Sequence, residues 1–391
     1  MSRIVKRAAA IAIAAATAAQ AQAEDIKVGL LLPFSGVYAA LGEEIEAGFR
    51  LGLDSFGADS GATFEILRED SEASPPVGLA KTRKLIMQDR VDVMAGVVSS
   101  GVLAAIRDVV DGAKVPLIVA NAGNDEATGK ACSPYITRIS FSNAQLNRPM
   151  GKYLVDHGVT KVVTFAPDYA AGQQMMKAFG DAFVAAGGEI VAQEFTPFQK
   201  TQDFGPYLAK AKTSGAQAVY AFYAGSEAIA FVKQYDSFGM KEALPLYGPG
   251  FLNSQLYVGA QGAAAQGIVT ALHYVPTIDN AANKAFVAAF TAQAGHLPSE
   301  YAVQGYDAAR ALVEAVKSGA TDRESLAAAL PRTSFDGPRG KTAIDPATNN
   351  IMQPIYVYDT VAGPDGPTQK VLAQLPVEVD PVNGCEMATL N

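Results

Sequence analysis

The sequence is poor in the residues that build metal centres, and it contains no tryptophan. Its 391 residues include only three histidines and two cysteines, all far apart along the chain. The closely spaced ligands of a structural zinc site are therefore missing, and we expect no metal and no cofactor. Charged residues make up 18% of the chain, and the net charge of −8 disfavours a general nucleic-acid interface.

Long hydrophobic runs are also missing, because no stretch beyond the N-terminus approaches the roughly 18 apolar residues of a membrane span. The N-terminus combines basic Arg3, Lys6 and Arg7, an apolar run over 8–19 and the motif Ala-Gln-Ala at 21–23. This pattern predicts a signal peptide over 1–23 rather than an amphipathic helix, because it has no polar face. Removal of its three basic residues leaves a mature net charge of −11. We expect a periplasmic protein.

Cys132 and Cys385 are the two cysteines of the chain. Because the periplasm is oxidising, we predict that they form a disulfide, with two buried free thiols as the alternative. The bond would close a loop of about 250 residues, which the chain-entropy treatment values at roughly 4–5 kcal/mol.

Short apolar runs rich in β-branched residues alternate with stretches of helical periodicity along the chain. This alternation predicts an α/β protein with two doubly wound, mostly parallel sheets. The predicted strands are 26–33, 64–69, 91–97 and 116–120 in a first series, 161–166, 189–194, 218–223 and 245–248 in a second, and a pair at 354–359 and 371–375. The predicted helices include 168–186, 226–238, 280–294 and 298–318.

Catalytic and nucleotide-binding motifs are incomplete. The segment GPRGKT at 337–342 ends like a phosphate-binding loop, but Phe335 stands where that motif requires glycine, so we expect a surface turn. Neither GxGxxG nor HExxH occurs, and Ser35 and Ser100 lack the GxSxG frame. We expect no catalytic residue and no enzyme, with a triad assembled only in space as the alternative.

The more informative residues follow the predicted strands. Ligands of open α/β sheets bind beyond the carboxyl ends of the strands, where helix N-termini offer free N–H groups. Ser99 and Ser100 stand at such a position, although both also suit helix N-caps that need no ligand. Other loops of this kind are 33–42, 120–125, 168–172, 222–226 and 248–251. Two sheets that face each other with these loops enclose a cleft.

In these loops, and in their order, the chain resembles the ABC-transporter solute-binding proteins of the branched-chain amino acid class, the type I, Leu/Ile/Val-binding-protein-like family. The segments that carry the resemblance are IKVGLLLPFSGVYAALGEEIEAGFRLGLD, DVMAGVVSSGVLAAIRDVV, VPLIVANAGND and VYAFYAGSEAIAFVKQY. The resemblance covers the whole mature chain. It implies two lobes, 24–142 with 277–342 and 143–276 with 343–391, joined by a hinge that the chain crosses three times, with the ligand cleft between them.

The resemblance also implies which residues face the ligand. In amino-acid-binding members, two loops of the first lobe hold the ligand carboxylate, and the matching positions are Ser100, Asn121, Ala122 and Gly123. The aromatic positions of the second lobe match Tyr169 and Tyr223, and we expect Tyr38, Leu41 and Phe251 to complete the site.

One departure from the family pattern changes the expected ligand. Amino-acid-binding members place a carboxylate after the fourth strand of the second lobe to pair with the ligand ammonium, but this chain has Gly250 there. A buried ammonium without a partner costs several kcal/mol. We therefore predict a small aromatic carboxylate of the benzoate, hydroxybenzoate or hydroxycinnamate type. The alternative is a branched-chain or other aliphatic amino acid, if Glu227 or Asp168 replaces the missing partner.

The resemblance implies two protein partners, the membrane permease of an ABC importer and its cytoplasmic ATPase. We expect the binding protein itself to be a monomer. The same fold also serves ligand sensing, so a soluble sensor component is a further alternative.

Overall fold

A computed structural model describes residues 25–364 and 366–387, so the predicted signal peptide lies outside the described residues. The strands are β1 Asp25–Leu32, β2 Thr63–Asp70, β3 Val93–Gly96, β4 Leu117–Val119, β5 Ile136–Arg138, β6 Lys161–Pro167, β7 Glu189–Thr196, β8 Ala218–Ala221, β9 Leu246–Pro249, β10 Val269–Leu272, β11 Ser334–Gly337, β12 Gly340–Asp345, β13 Asn350–Gly363 and β14 Gly366–Glu378. The helices are α1 Ala39–Phe56, α2 Pro75–Met87, α3 Ser100–Gly112, α4 Asn143–Asp156, α5 Ala170–Ala185, α6 Gly205–Lys212, α7 Gly225–Ser237, α8 Val258–Gln261, α9 Ala281–Ala294, α10 Glu300–Lys317 and α11 Arg323–Ala329.

The N-terminal sheet consists of parallel strands in the order β2-β1-β3-β4-β5. Helices α1, α2 and α3 follow β1, β2 and β3, so a helix forms each of these crossovers. Most of β1 is buried, as expected for an apolar strand that is covered on both faces. The carboxyl ends of these parallel strands meet at one edge of the sheet.

The C-terminal sheet has the order β10-β9-β8-β6-β7, and these strands are also parallel. Strand β13 runs antiparallel to β10, and β14 runs antiparallel to β13. Strand β13 also pairs with β5 through Asn350 and Arg138, so it connects the two sheets. The prediction of two doubly wound sheets is confirmed, and the predicted C-terminal strand pair is present but longer than expected.

Three segments connect the two halves of the molecule: 139–142 before α4, 273–280 between β10 and α9, and 346–349 between β12 and β13. Helix α4 packs against α5 beside the C-terminal sheet, whereas α10 packs against α1 beside the N-terminal sheet. The predicted architecture of two lobes joined by a three-crossing hinge is therefore confirmed. The residue limits given above for each lobe stay a prediction.

The turn between β11 and β12 contradicts the expectation of a surface turn at GPRGKT. Arg339 is fully buried, and its guanidinium donates to the carboxylate of Asp307 at 2.7 Å and to the side-chain oxygen of Gln353 at 2.7 Å. It also donates to the carbonyl oxygen of Ile139, which opens the first hinge segment, at 2.8 Å. Arg339, which lies in the segment that resembles a phosphate-binding loop, thus forms hydrogen bonds that stabilise the hinge.

Cys132 and Cys385 form the predicted disulfide, with their Cα atoms 5.5 Å apart. Cys132 precedes β5 of the N-terminal sheet, and Cys385 follows β14 of the C-terminal sheet. The disulfide therefore links the two halves covalently, in addition to the three chain crossings.

Within the described residues, no helix is long and apolar enough to cross a membrane. The same part of the chain contains no cluster of three or more His, Cys, Asp or Glu side chains that is arranged to hold a metal ion.

Candidate functional site

The loops after the parallel strands of both sheets meet around one narrow cavity. Strands β1, β3 and β4 supply the loops of the first half, and β6, β8 and β9 supply those of the second. The cavity is lined by Tyr38, Leu41, Val98, Ser100, Asn121, Gly123, Phe141, Asn143, Tyr169, Ala171, Met175, Phe222, Ala224, Phe251 and Tyr301. This is the cleft position that the sequence predicted.

The structure brings seven of the predicted ligand-binding residues to this cavity: Ser100, Asn121, Gly123, Tyr169, Phe251, Tyr38 and Leu41. They come from five different strand-to-helix loops, which only the tertiary fold places together. That they contact a ligand stays a prediction.

Tyr223 and Ala122 do not line the cavity. The Tyr223 hydroxyl pairs with Thr196 at 3.1 Å, and its ring packs on Phe231 in the core. Its neighbour Phe222 lines the cavity instead, because successive residues of an extended chain point to opposite sides. The Ala122 N–H donates to the Val97 carbonyl at 2.9 Å, so this amide is not available to an anion.

Gly250 also lies outside the lining residues, and its surroundings explain why no side chain is present. A Cβ atom built on Gly250 would lie 1.9 Å from the Tyr358 hydroxyl and 2.8 Å from the Leu272 Cβ. Tyr358 thus occupies the space that a carboxylate side chain at this position would enter. Gly123 is similarly crowded by Asn143 and Phe141.

The two adjacent serines have different roles. Ser99 is the N-cap of α3, and its hydroxyl oxygen faces the Val102 N–H at 3.5 Å. Ser100 is the first residue of α3, and its hydroxyl accepts a hydrogen bond from Asn143 Nδ2 at 3.2 Å. The ordinary capping interpretation therefore applies to Ser99, while Ser100 lies at the cavity wall.

A second polar position on the wall is Asn121. Its Nδ2 donates to Gln304 Oε1 at 2.7 Å, and Gln304 Nε2 contacts His273 Nε2 at 3.1 Å. Because an amide nitrogen only donates, His273 Nε2 accepts and its proton lies on Nδ1. Burial holds the pKa of His273 well below its usual value, so the ring stays neutral and fixes the amide of Asn121.

Aromatic rings form the opposite walls. Phe251 contacts Phe141 with ring centroids 5.1 Å apart, Tyr301 at 5.9 Å and Phe222 at 6.2 Å. The hydroxyls of Tyr38 and Tyr169, which come from opposite halves, lie 2.9 Å apart. The interior is a narrow apolar space between rings, with neutral hydrogen-bonding groups on its wall.

The comparison with known families identifies this arrangement. The family profile described as "Periplasmic binding protein" matches residues 25–365. The chain belongs to the periplasmic binding proteins. Its fold is the type I fold of that family, and the family implies an extracytoplasmic location.

Several ABC-transporter solute-binding proteins are similar to this binding protein. One from R. palustris, solved in complex with benzoate, shares 37% identity and a TM-score of 0.88, covering 93% of this chain and 99% of that one. Another, from Rhodopseudomonas palustris BisB5 with 3,4-dihydroxybenzoic acid, shares 33% identity and a TM-score of 0.87 over 91% and 99% of the two chains. A curated relative from Brucella melitensis, named Leu/Ile/Val-binding protein homolog 6, is 32% identical over 88% of this chain and 90% of its own.

The family and these neighbours are binding proteins of ABC transporters and not enzymes, which supports the same role for this chain. Sequence reasoning missed the remaining lining residues of its cavity: Val98, Phe141, Asn143, Ala171, Met175, Phe222, Ala224 and Tyr301. Of these, only Asn143 could have been suggested by the sequence, because it follows Ser142, the N-cap of α4, and so stands at the start of a helix.

No charged side chain lines the cavity of this binding protein, as far as the described residues extend. Glu227 lies behind the wall, where Glu227 Oε1 accepts the Gln199 N–H at 2.9 Å. Burial raises the pKa of Glu227 to about 7. Asp168 accepts a hydrogen bond from Gln173 on the exposed surface. Neither acid occupies the place of the missing ammonium partner.

Glu300 gives this binding protein a specific pH dependence. Its carboxylate accepts the Ser254 hydroxyl at 2.8 Å, and burial raises its pKa to about 8. A carboxyl whose folded pKa is raised binds a proton on folding, so stability falls as pH rises from about 4.5 to 8.

The Glu300→Gln variant removes this titration. We expect its free energy of unfolding to match that of the wild type at pH 5 and to exceed it at pH 9 by at least about 1 kcal/mol. A shift of one pKa unit corresponds to about 1.4 kcal/mol. Urea unfolding at both pH values measures the difference. An equal stability difference at pH 5 and pH 9 would contradict the assignment.

Proposed function

We propose that this protein is the extracytoplasmic component of an ABC importer that captures a small aromatic carboxylate of the benzoate, hydroxybenzoate or hydroxycinnamate type. The observation that carries the proposal is the cavity itself, which has aromatic walls, neutral donors and, among the described residues, no charged lining side chain. Closure of the two lobes around the ligand then presents a surface to the permease.

The polar wall suits an anion. Ser100 stands at the N-terminus of α3, where first-turn N–H groups and the helix dipole favour negative charge. Asn121 adds a neutral side-chain amide. Hydrogen bonds to a charged acceptor are about twice as strong as those between neutral groups. A carboxylate placed here needs no arginine or lysine.

The rest of the cavity suits a flat ring and not an α-amino acid. Phe141, Phe222, Phe251 and Tyr301 surround the space, and rings prefer offset or tilted contacts with such neighbours. An ammonium group would find no carboxylate on the cavity wall, and Tyr358 fills the space beside Gly250 where amino-acid-binding relatives place one. A buried ammonium without a partner costs several kcal/mol.

The solved neighbours support this ligand class, because benzoate and 3,4-dihydroxybenzoic acid are the compounds bound in two of them. The names of the curated relatives instead favour a branched-chain amino acid. The aromatic walls of the cavity, without a charged lining side chain among the described residues, support the aromatic acid. We further propose that the protein works as a periplasmic monomer that delivers its ligand to a permease coupled to a cytoplasmic ATPase.

Thermal unfolding against a ligand panel tests the proposal. The panel contains benzoate, 4-hydroxybenzoate, a hydroxycinnamate, 4-methylpentanoate and leucine. A ligand at 100 times its dissociation constant stabilises the native state by about 2.7 kcal/mol, enough for a visible rise in melting temperature. We expect the rise with the aromatic acids and none with leucine. A rise with leucine alone would refute the proposed ligand class and leave the transport role intact.

A further inference from the structure

A series of hydrogen bonds connects the Ser100 hydroxyl to the loop after β4. Gln174, on α5, is at its centre. Gln174 Oε1 accepts the backbone N–H of Asp125 at 3.0 Å and Asn143 Nδ2 at 2.7 Å, while Gln174 Nε2 donates to Asn124 Oδ1 at 3.3 Å. Asn143 Nδ2 also donates to Ser100 Oγ at 3.2 Å.

Backbone groups fix the orientation of both ends of Gln174. A backbone N–H can only donate, so the N–H of Asp125 requires an oxygen at Gln174 Oε1. The backbone N–H of Glu126 donates to Asn124 Oδ1 at 2.9 Å and fixes that atom as oxygen in the same way. Gln174 must therefore direct its nitrogen to Asn124, and a reversed amide would lose both contacts.

This orientation determines what Ser100 can do. Asn143 must present its nitrogen to the Gln174 oxygen, and the second proton of that nitrogen goes to Ser100 Oγ. The Ser100 oxygen is thus an acceptor within the protein. In the described part of the chain no group accepts the Ser100 hydroxyl proton, and Ser100 lines the cavity.

We propose that Gln174 and Asn143 are positioning residues that make the Ser100 hydroxyl a hydrogen-bond donor toward the ligand. This inference rests on the proposed function. It explains how a site without a positively charged lining side chain, among the described residues, prefers a ligand group that accepts hydrogen bonds. A carboxylate takes the proton of Ser100. A ligand hydroxyl that needs an acceptor can use only the second lone pair of the Ser100 oxygen, because Asn143 occupies the first. Without Gln174, Asn143 loses its support and Ser100 rotates freely between donating and accepting.

The experiment compares benzoate with benzyl alcohol, which keeps the ring and replaces the carboxylate by a hydroxyl. Dissociation constants of both are measured by calorimetry for wild type and Gln174→Met. We expect the preference for benzoate over benzyl alcohol to fall at least tenfold, mainly through loss of benzoate affinity. Gln173→Met is the matched control, because Gln173 precedes it on α5 and contacts Asp168 at the surface. This control should keep the wild-type preference.

A second variant keeps the test valid if Gln174→Met does not fold. Asn143→Ala removes the last donor before Ser100 and leaves Gln174 in place, and we expect the same loss of preference. A merely structural role would weaken both ligands alike, so an unchanged preference in the folded variants overturns the positioning role alone. A wild type that binds no aromatic acid overturns the proposed function and this inference together.

Discussion

The Ser100→Ala variant is expected to bind benzoate about ten to a hundred times more weakly than the wild type. Ser100 is buried at the cavity wall, at the first residue of α3, where its hydroxyl faces the proposed carboxylate. A hydrogen bond to a charged group contributes about 1.5–3 kcal/mol, which corresponds to this loss of affinity. Calorimetric titration of both proteins measures the change.

The neighbouring serine provides a matched control. Ser99 caps α3, so Ser99→Ala removes a cap and should lower stability by about 1 kcal/mol. Because its hydroxyl faces the helix, we expect the benzoate affinity to stay within twofold of the wild type. Unchanged benzoate affinity in Ser100→Ala, with a large loss in Ser99→Ala, would place the anion elsewhere.

The Arg339→Met variant is expected to lose about 3–5 kcal/mol of stability, the largest effect of a single substitution in our account. Arg339 and Asp307 form an ion pair at 2.7 Å in which both side chains are fully buried. Removal of the arginine leaves a buried carboxylate uncompensated and also frees the Ile139 carbonyl of the hinge. Denaturant unfolding at pH 7 measures the loss.

A double variant separates the unpaired charge from lost packing. When Asp307→Leu is added to Arg339→Met, no buried charge remains, and replacement of a whole buried ion pair by apolar residues is often nearly neutral. We expect the double variant to recover more than half of the loss. A double variant less stable than Arg339→Met alone would show that the hinge contacts, and not the unpaired carboxylate, dominate the effect.

Most strands could be predicted from the sequence, including the three-residue β4, whereas β5 and β10 could not. The strand predicted at 161–166 is Lys161–Pro167 in the structure, because its continuous apolar run is typical of a strand buried on both faces. Strands β5 and β10 are similarly short, and polar Thr137, Arg138 and Thr270 interrupt their apolar runs, so no strand pattern is visible. Their pairing with neighbouring strands, and not their own sequence, defines them.

The lining residues that could be predicted from the sequence are those that stand where a helix follows a strand. Ser100 and Tyr169 stand directly where a helix follows a strand, so their positions follow from the strand order. Tyr223 does not line the cavity, whereas its neighbour Phe222 does, because successive residues of an extended chain point to opposite sides. Asn143 reaches the site through the first hinge crossing, a tertiary relation that no local pattern contains.

The most direct test of the central claim uses two ligands that differ only by an ammonium group. Phenylacetate and phenylglycine share a ring and a carboxylate, and only phenylglycine carries the α-ammonium. Because no charged side chain lines the described cavity, calorimetry of the wild type should show binding of phenylacetate and at least hundredfold weaker binding of phenylglycine. Equal or tighter binding of phenylglycine would contradict the account and identify the protein as an amino-acid-binding member of its family.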